Sequence, residues 1–459
     1  MLWRSRTLHA VRMSTTLLPV PRRETPGMTD FAISFSERDG TESREPLQHA
    51  VANYSSSTAS DSIEKAAAHL RADELVAFPT ETVYGLGASA LNADAALKIY
   101  AAKNRPADNP LIVHVSDMAM IQRLVPRGYT LNPVCAALAQ EFWPGPLTLL
   151  FPVGGDVAPA VPSVVTCGQP TVGVRMPAHP VARALIAAAD LPIAAPSANA
   201  SGRPSPTTAQ HVLDDLGSRG MLKYILDGGS SSVGVESTVI DAVSTPDEVR
   251  ILRPGGVTVE HVTHVLRERG LLAGPGAAQG ARAVRVFGRD LHSRKEEQAP
   301  TTPGMKYRHY SPDARVVLVR FAPDGDSLTS TLAGCVEGVN APRIGVMCAT
   351  DSPLMRIIQQ RVQLGECGGT RISPVAMLDL AGRRAQLCVY SLGSITAPEM
   401  AAQRLFDGLR TLDSLVKWDG DGSTCDVILV EAIDEDGMGL AVMNRLQKAA
   451  SATLRVATV

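Results

Sequence analysis

Two spacings of apolar residues alternate along most of the chain. Short runs such as Leu75 to Phe78 and Leu111 to Val115 are bounded by proline, glycine or asparagine, as strands are. Between them lie stretches with apolar positions three and four apart, the period of a helix buried on one face. Asp61 is a plausible N-cap for a helix over 62–72, followed by a strand over 74–78 that stops at Pro79. Asn92 or Asp94 then caps a helix over 95–103 that leads into the strand 111–115. A helix over 132–141, strands over 147–153 and 171–177, a helix over 179–189 and a strand over 191–195 continue the series. Thr207 or Thr208 caps a helix over 209–216, hydroxyl-rich residues 234–241 form a strand, and a helix over 259–269 ends this block. Further on, runs at 316–321, 343–348, 386–391 and 425–432 suit buried strands, with helices over 398–415 and 440–450. Strands alternating with helices predict an α/β architecture, and the second block fits a smaller, Rossmann-like parallel sheet.

The pattern lapses over 273–312, where glycine, proline and charged residues suit a linker. This divides the chain into a leader (1–60), a first domain (61–270), a linker (271–313) and a second domain (314–459). With 459 residues the chain exceeds what one core usually serves. The leader carries Arg4, Arg6, Arg12, Arg22 and Arg23 before its first acid, Glu24, which suits a mitochondrial transit peptide. Met13 and Met28 are alternative starts, so cytoplasmic and mitochondrial products are both open. Residues 24–60, rich in Ser, Thr and acids, suit a poorly ordered segment. A net charge of −2 gives no global field for nucleic acid, so any such contact needs a local patch. The seven cysteines never form a C-x-x-C pair, which argues against zinc sites and disulfide frames. No apolar run reaches the roughly 18 residues that span a bilayer, and a soluble intracellular protein is expected.

Candidate chemistry concentrates in the first domain. Lys103 closes a helix, Pro106 stops it, and Arg105 between them is pushed into extended backbone. Asn109 and Pro110 then launch the next strand, leaving a cationic corner suited to phosphate or carboxylate. Arg175 lies late in an alternating strand, where burial demands an anion, either a carboxylate partner or a ligand. Pro196 to Gly202 is a loop of small polar donors, and Arg253 repeats the arginine-before-proline arrangement at a strand end. Gly85, Gly87 and Ala90 resemble a dinucleotide loop, but Pro79 interrupts the strand before them and the next helix begins too late. No G-x-x-x-x-G-K-[ST] motif occurs. The dense run Lys306, Tyr307, Arg308, His309, Tyr310 is unusual for a linker and suits either an interdomain anchor or a lid.

Together these pieces resemble the YrdC-like family of threonylcarbamoyl-AMP synthases. The matching segments are 78–87, 103–106 with Asn109, 143–148, 172–177, 196–202, 236–239 and 252–255, in family order. The resemblance implies a twisted, mixed open sheet around a cationic cavity, with a Rossmann-like C-terminal domain as in the family's long form. It implies that L-threonine, bicarbonate and ATP become threonylcarbamoyl-AMP and pyrophosphate, for later transfer to tRNA by a separate transferase complex. By the same resemblance Lys103 and Arg105 hold phosphates and carbamate, and Thr82, His114, Arg175 and the Ala195 backbone hold threonine. Arg105, Asn109, Thr171, Ser197, Asn199, Ser205, Ser237 and Arg253 serve ATP. Lys306, Tyr307, His309 and Tyr310 form a lid. Mg²⁺ is expected on the triphosphate, carried by ATP oxygens and water, with no structural metal on the protein. Competing readings are a double-stranded RNA or tRNA-binding module without catalysis, a carbamoyl-handling hydrogenase maturation factor and a Rossmann oxidoreductase.

Overall fold

A computed structural model of the chain describes residues 14–25, 28–31, 33–38, 46–153, 161–272, 283–290, 309–323, 325–327, 334–337, 339, 342–362, 371–380, 382–414 and 425–457. The first domain is built on an 11-stranded mixed sheet. From one edge its strands are Thr16–Pro19, Tyr224–Asp227, Val76–Phe78, Gly85–Ser89, Ile193–Ala194, Ile112–His114, Thr171–Arg175, Leu147–Pro152, Thr238–Asp241, Glu248–Arg253 and Ala283–Val286. Thr171–Arg175 runs parallel to Ile112–His114 and antiparallel to Leu147–Pro152, which places Arg175 beside both His114 and Thr148. Helices Ser57–Arg71 and Pro180–Ala189 bury their alanine-rich faces in the main core.

Helix boundaries follow their caps. Asn92 accepts from the Asp94 and Ala95 amides and starts Ala93–Lys103, which ends where Asn104 turns left-handed. Thr208 caps Ala209–Leu216, within the expected bounds. The first helix begins at Ser57 with Ser56 as its cap, one turn earlier than Asp61 suggested. Gly85 and Gly87 lie inside a fully buried strand, and a Cβ on Gly87 would come within 2.7 Å of Ile193 and Phe78. Close packing of the sheet explains these glycines, with no dinucleotide loop required.

Of the segment 24–60, expected to be poorly ordered, the described residues include paired strands. Met28–Phe31 pairs with Arg22–Thr25, and Ile33–Glu37 pairs with Ala50–Tyr54, both antiparallel. Within the proposed leader, Thr16–Pro19 forms the edge strand of the main sheet, parallel to Tyr224–Asp227. Leu18 and Val20 enter the core there. Such a short strand between prolines and arginines has too few positions to show a period of its own.

The second domain has a six-stranded sheet in the order Ala376–Leu380, Arg383–Ser391, Arg343–Cys348, Val427–Glu431, Arg315–Ala322, Ala452–Ala457. All neighbours are parallel except the first pair, so the Rossmann-like expectation holds with an added antiparallel edge. Helices Pro398–Asp413 and Met438–Ala449 cover the face toward the first domain, where Val83, Val235 and Tyr310 share their apolar cluster. Helix Pro353–Arg361 packs with the cluster on the opposite face. Among the described residues no helix is long and apolar enough to cross a membrane.

Candidate active site

A cavity of about 50 Å³, partly open to solvent, lies where strand ends meet loops of the first domain. Its wall holds Thr82, Arg105, His114, Arg175, Ala195, Ser197, Ser237 and Arg253 from the expected set, together with His309 and Tyr310. Residues scattered over some 230 positions thus meet in one enclosure. Lys306 and Tyr307 of the expected lid lie outside the described residues.

At one end Arg175 donates through Nη1 to Thr82 Oγ1 at 2.8 Å, through Nη2 to Glu81 Oε1 at 2.5 Å, and through Nε to the Gly145 carbonyl at 3.2 Å. The anion that buried Arg175 requires is therefore Glu81, a residue the sequence reading passed over. A guanidinium has five N–H groups, so two remain for a second anion such as an amino-acid carboxylate. Burial pushes the Glu81 carboxyl up, but the charge and hydrogen bond of Arg175 outweigh it and hold its pKa below the usual value. His114, next to Arg175 in the sheet, is pushed down to about 3 by burial and by that guanidinium. It is a neutral imidazole whose buried Nδ1 has no partner within the protein.

Arg105 is another cation of the cavity wall. Its Nη2 donates to the Asn109 carbonyl at 2.9 Å and the Pro110 carbonyl at 3.3 Å, which holds the cationic corner rigid. Its buried Nε and the nearby Asn109 Oδ1 are unpartnered. Buried polar atoms left without partners are rare in native proteins and commonly mark where a ligand or water belongs. Arg253 clasps Ser237, with Nη2 at 2.9 Å from its carbonyl and 3.1 Å from its hydroxyl. Burial pushes the Arg253 pKa down to about 10, so it stays charged near neutrality.

Several expected residues stand behind the wall. Lys103 Nζ donates to the carbonyls of Ser197 and Asn199, the latter at 2.5 Å, and to Asn199 Oδ1 at 3.3 Å. Burial, then neighbouring Arg105, drives its pKa well below the usual lysine value, while three convergent acceptors match the three donors of an ammonium. The structure thus shows Lys103 as the clip that holds the 197–199 loop. Asn199 likewise uses its amide on the Ala200 and Arg203 carbonyls and receives the Ser197 hydroxyl at 2.6 Å. Ser205 donates to Glu236 Oε1 at 2.7 Å. Thr171 occupies the far end of the strand from Arg175, four residues or about 13 Å away, and the fold does not bring it to this wall.

Glu236 is the second acid missed from sequence and the only acid among the described wall residues. Burial raises its pKa, but Arg445 and Arg253 prevail and take it to about 2, so it is ionised. Its signal was present in the Glu-Ser-Thr-Val run, but its partner Arg445 stands 209 residues away. Tyr310, at a positive φ of 66°, turns inward and stacks near Phe406 of the second domain at 5.2 Å.

Two family models cover most of the chain. One, described as "Telomere recombination" (Sua5, YciO, YrdC), matches residues 68–255. The other, "Threonylcarbamoyl-AMP synthase, C-terminal domain", matches 257–451. A threonylcarbamoyl-AMP synthase of Schizosaccharomyces pombe is 39% identical over 91% of this chain and 95% of its own. One from Bacillus subtilis is 39% identical over 86% of this chain and 94% of its own. The crystal structure of P. abyssi Sua5 complexed with L-threonine is similar at a TM-score of 0.63 and 37% identity, covering 86% of this chain and 96% of that one.

Proposed function

The chain belongs to the threonylcarbamoyl-AMP synthase family, and from that premise we propose how its cavity makes threonylcarbamoyl-AMP. The substrates are L-threonine, bicarbonate and ATP. The threonine nitrogen attacks the carbon of CO2, formed from bicarbonate by loss of hydroxide, and gives up a proton as the N–C bond of a carbamate forms, so that water is released overall. A carbamate oxygen then attacks the α-phosphorus of ATP, the bond from that phosphorus to the α,β-bridging oxygen breaks, and pyrophosphate leaves with that oxygen. No protein nucleophile is needed, so the protein positions reactants and stabilises charge.

The observation that carries the assignment of roles is the cluster around Arg175, which donates to Thr82 and has neutral His114 as its sheet neighbour. The cations Arg105 and Arg253 line the same cavity with Ser197, Ser237, His309 and Tyr310. The threonine carboxylate takes the two open N–H groups of Arg175, fixed in direction by Glu81. The unpartnered His114 Nδ1 accepts from the threonine amine or hydroxyl. Arg105 Nε and Arg253 receive the negative charge that develops on the α-phosphate. Ala195 contributes its backbone to the threonine end, and Ser197 and Ser237 their hydroxyls to the nucleotide.

Mg²⁺ would enter with ATP. Both Glu236 oxygens are engaged by Ser205 and Arg445, and among the described residues no group of three metal-binding side chains occurs. The ion would thus rest on phosphate oxygens and water. The product would pass to a separate transferase acting on tRNA. We place the protein in the cytoplasm, with a mitochondrial fraction directed by Arg4, Arg6 and Arg12; fractionation of tagged full-length chain, with no mitochondrial signal, would remove that second address.

The reaction is tested by pyrophosphate release with ATP, Mg²⁺ and bicarbonate, comparing L-threonine, L-valine and no amino acid. Threonine-dependent release with threonylcarbamoyl-AMP detected by mass spectrometry is expected. A folded protein that releases pyrophosphate equally without threonine would overturn the proposal.

A further inference from the structure

The second domain reaches the cavity wall through buried Arg445, and a second buried arginine, Arg410, braces the loop behind that wall. Arg445, on helix Met438–Ala449, is 1% exposed. Its Nε donates to Glu236 Oε2 at 3.0 Å, and Nη1 donates to the Pro254 carbonyl beside Arg253. Glu236 in turn accepts from Ser205 Oγ at 2.7 Å and lines the cavity beside Tyr310. Arg410, on helix Pro398–Asp413, donates from Nη2 to Asp215 Oδ2 at 2.8 Å and from Nη1 to Asp215 Oδ1 at 3.2 Å, and also reaches the Pro204 carbonyl. Asp215 accepts the Ala200 amide at 3.0 Å. The two arginines therefore fasten adjacent points, Pro204 and Ser205, of one loop.

We propose that Arg445 is a positioning residue for the nucleotide side of the cavity, making the second domain a working part of the active site. The inference rests on the function proposed above. Glu236 is a wall residue that holds Ser205, and Arg445 makes its buried charge tolerable. Without Arg445 the carboxylate would seek another cation, and Arg253 on the wall is the neighbour that already acts on it. That rearrangement disturbs the nucleotide end and leaves the Arg175, Thr82 and His114 end in place. A role limited to gluing two domains would not discriminate between substrates.

The test is full steady-state kinetics on full-length Arg445→Met, Arg445→Lys and the double variant Glu236→Gln with Arg445→Met, each checked by thermal melting. For Arg445→Met the KM for ATP should rise at least about 10-fold while the KM for threonine stays within about two-fold. The double variant removes both charges and should recover much of the ATP affinity, since the pair is coupled. An unchanged KM for ATP, equal rises for both substrates, or purely additive losses in the double variant would overturn the proposal. Should Arg445→Met fail to fold, the double variant decides alone: an ATP KM within about three-fold of wild type supports coupling through Glu236, and a larger rise refutes it. A wild-type chain with no threonine-dependent turnover would instead refute the underlying function.

Discussion

Lys103 and Arg105 sit two residues apart and look equivalent in sequence, but the structure places them differently, Lys103 behind the cavity wall and Arg105 on it. Replacing Lys103 with Met removes the donors to the Ser197 and Asn199 carbonyls and to Asn199 Oδ1. A buried acceptor left without a partner costs about 1–3 kcal/mol; Asn199 Oδ1 keeps the Ser197 hydroxyl, so the two carbonyls give roughly 2–6 kcal/mol. The ammonium's own burial opposes it, as its lowered pKa shows, which brings the net loss to about 3 kcal/mol. For a domain of this size that corresponds to a melting point lower by roughly 6–12 °C. Arg105→Met instead gives up two hydrogen bonds to the Asn109 and Pro110 carbonyls, about 1–2 kcal/mol in all. Its main loss is a cation at the reacting phosphate, about 10²–10³ in kcat. The assays are thermal melting, amide exchange over 196–203 and pyrophosphate release, run on both variants. Lys103→Met should melt early with its loop exposed, whereas Arg105→Met should melt nearly normally and turn over poorly. If Lys103→Met keeps wild-type melting and loop protection yet makes no product, Lys103 acts on substrate directly and the clip reasoning is wrong.

Acid should destabilise the fold in a defined window. Burial holds His114 and His309 at about 3, against 6.5 for free histidine, so the unfolded chain binds more protons between those values. Stability is therefore complete above about pH 6.5 and falls as pH drops toward 3, with Glu236, at about 2, adding to the loss below 4.5; melting points that stay flat from pH 7 to 4 would contradict this. A product begun at Met28 lacks the edge strand Thr16–Pro19 and the buried Leu18 and Val20. It should lose up to about 3–5 kcal/mol, while a product begun at Met13 should not, and equal urea midpoints would refute the difference. Deleting 302–312 removes His309 and Tyr310 from the cavity wall and should cripple turnover; normal kcat and KM for ATP would dispose of the lid.

The alternation of strands and helices was legible in the sequence because it depends on near neighbours. Caps such as Asn92 and Thr208, the stop at Pro106 and the apolar runs of the second domain act over a few residues. Most of the cavity wall was legible too, since arginines at strand ends and hydroxyl-rich loops are poorly explained by packing alone. What only tertiary structure decided was the pairing of charges. A buried arginine must find an anion, but nothing local says that Arg175 finds Glu81, 94 residues back, or that Arg445 finds Glu236 across the domain boundary. The same is true of directions: Lys103 points into the 197–199 loop, and Thr171 lies at the wrong end of its strand for the cavity. Local chemistry proposes which groups want partners, and desolvation in the folded core decides which partners they get.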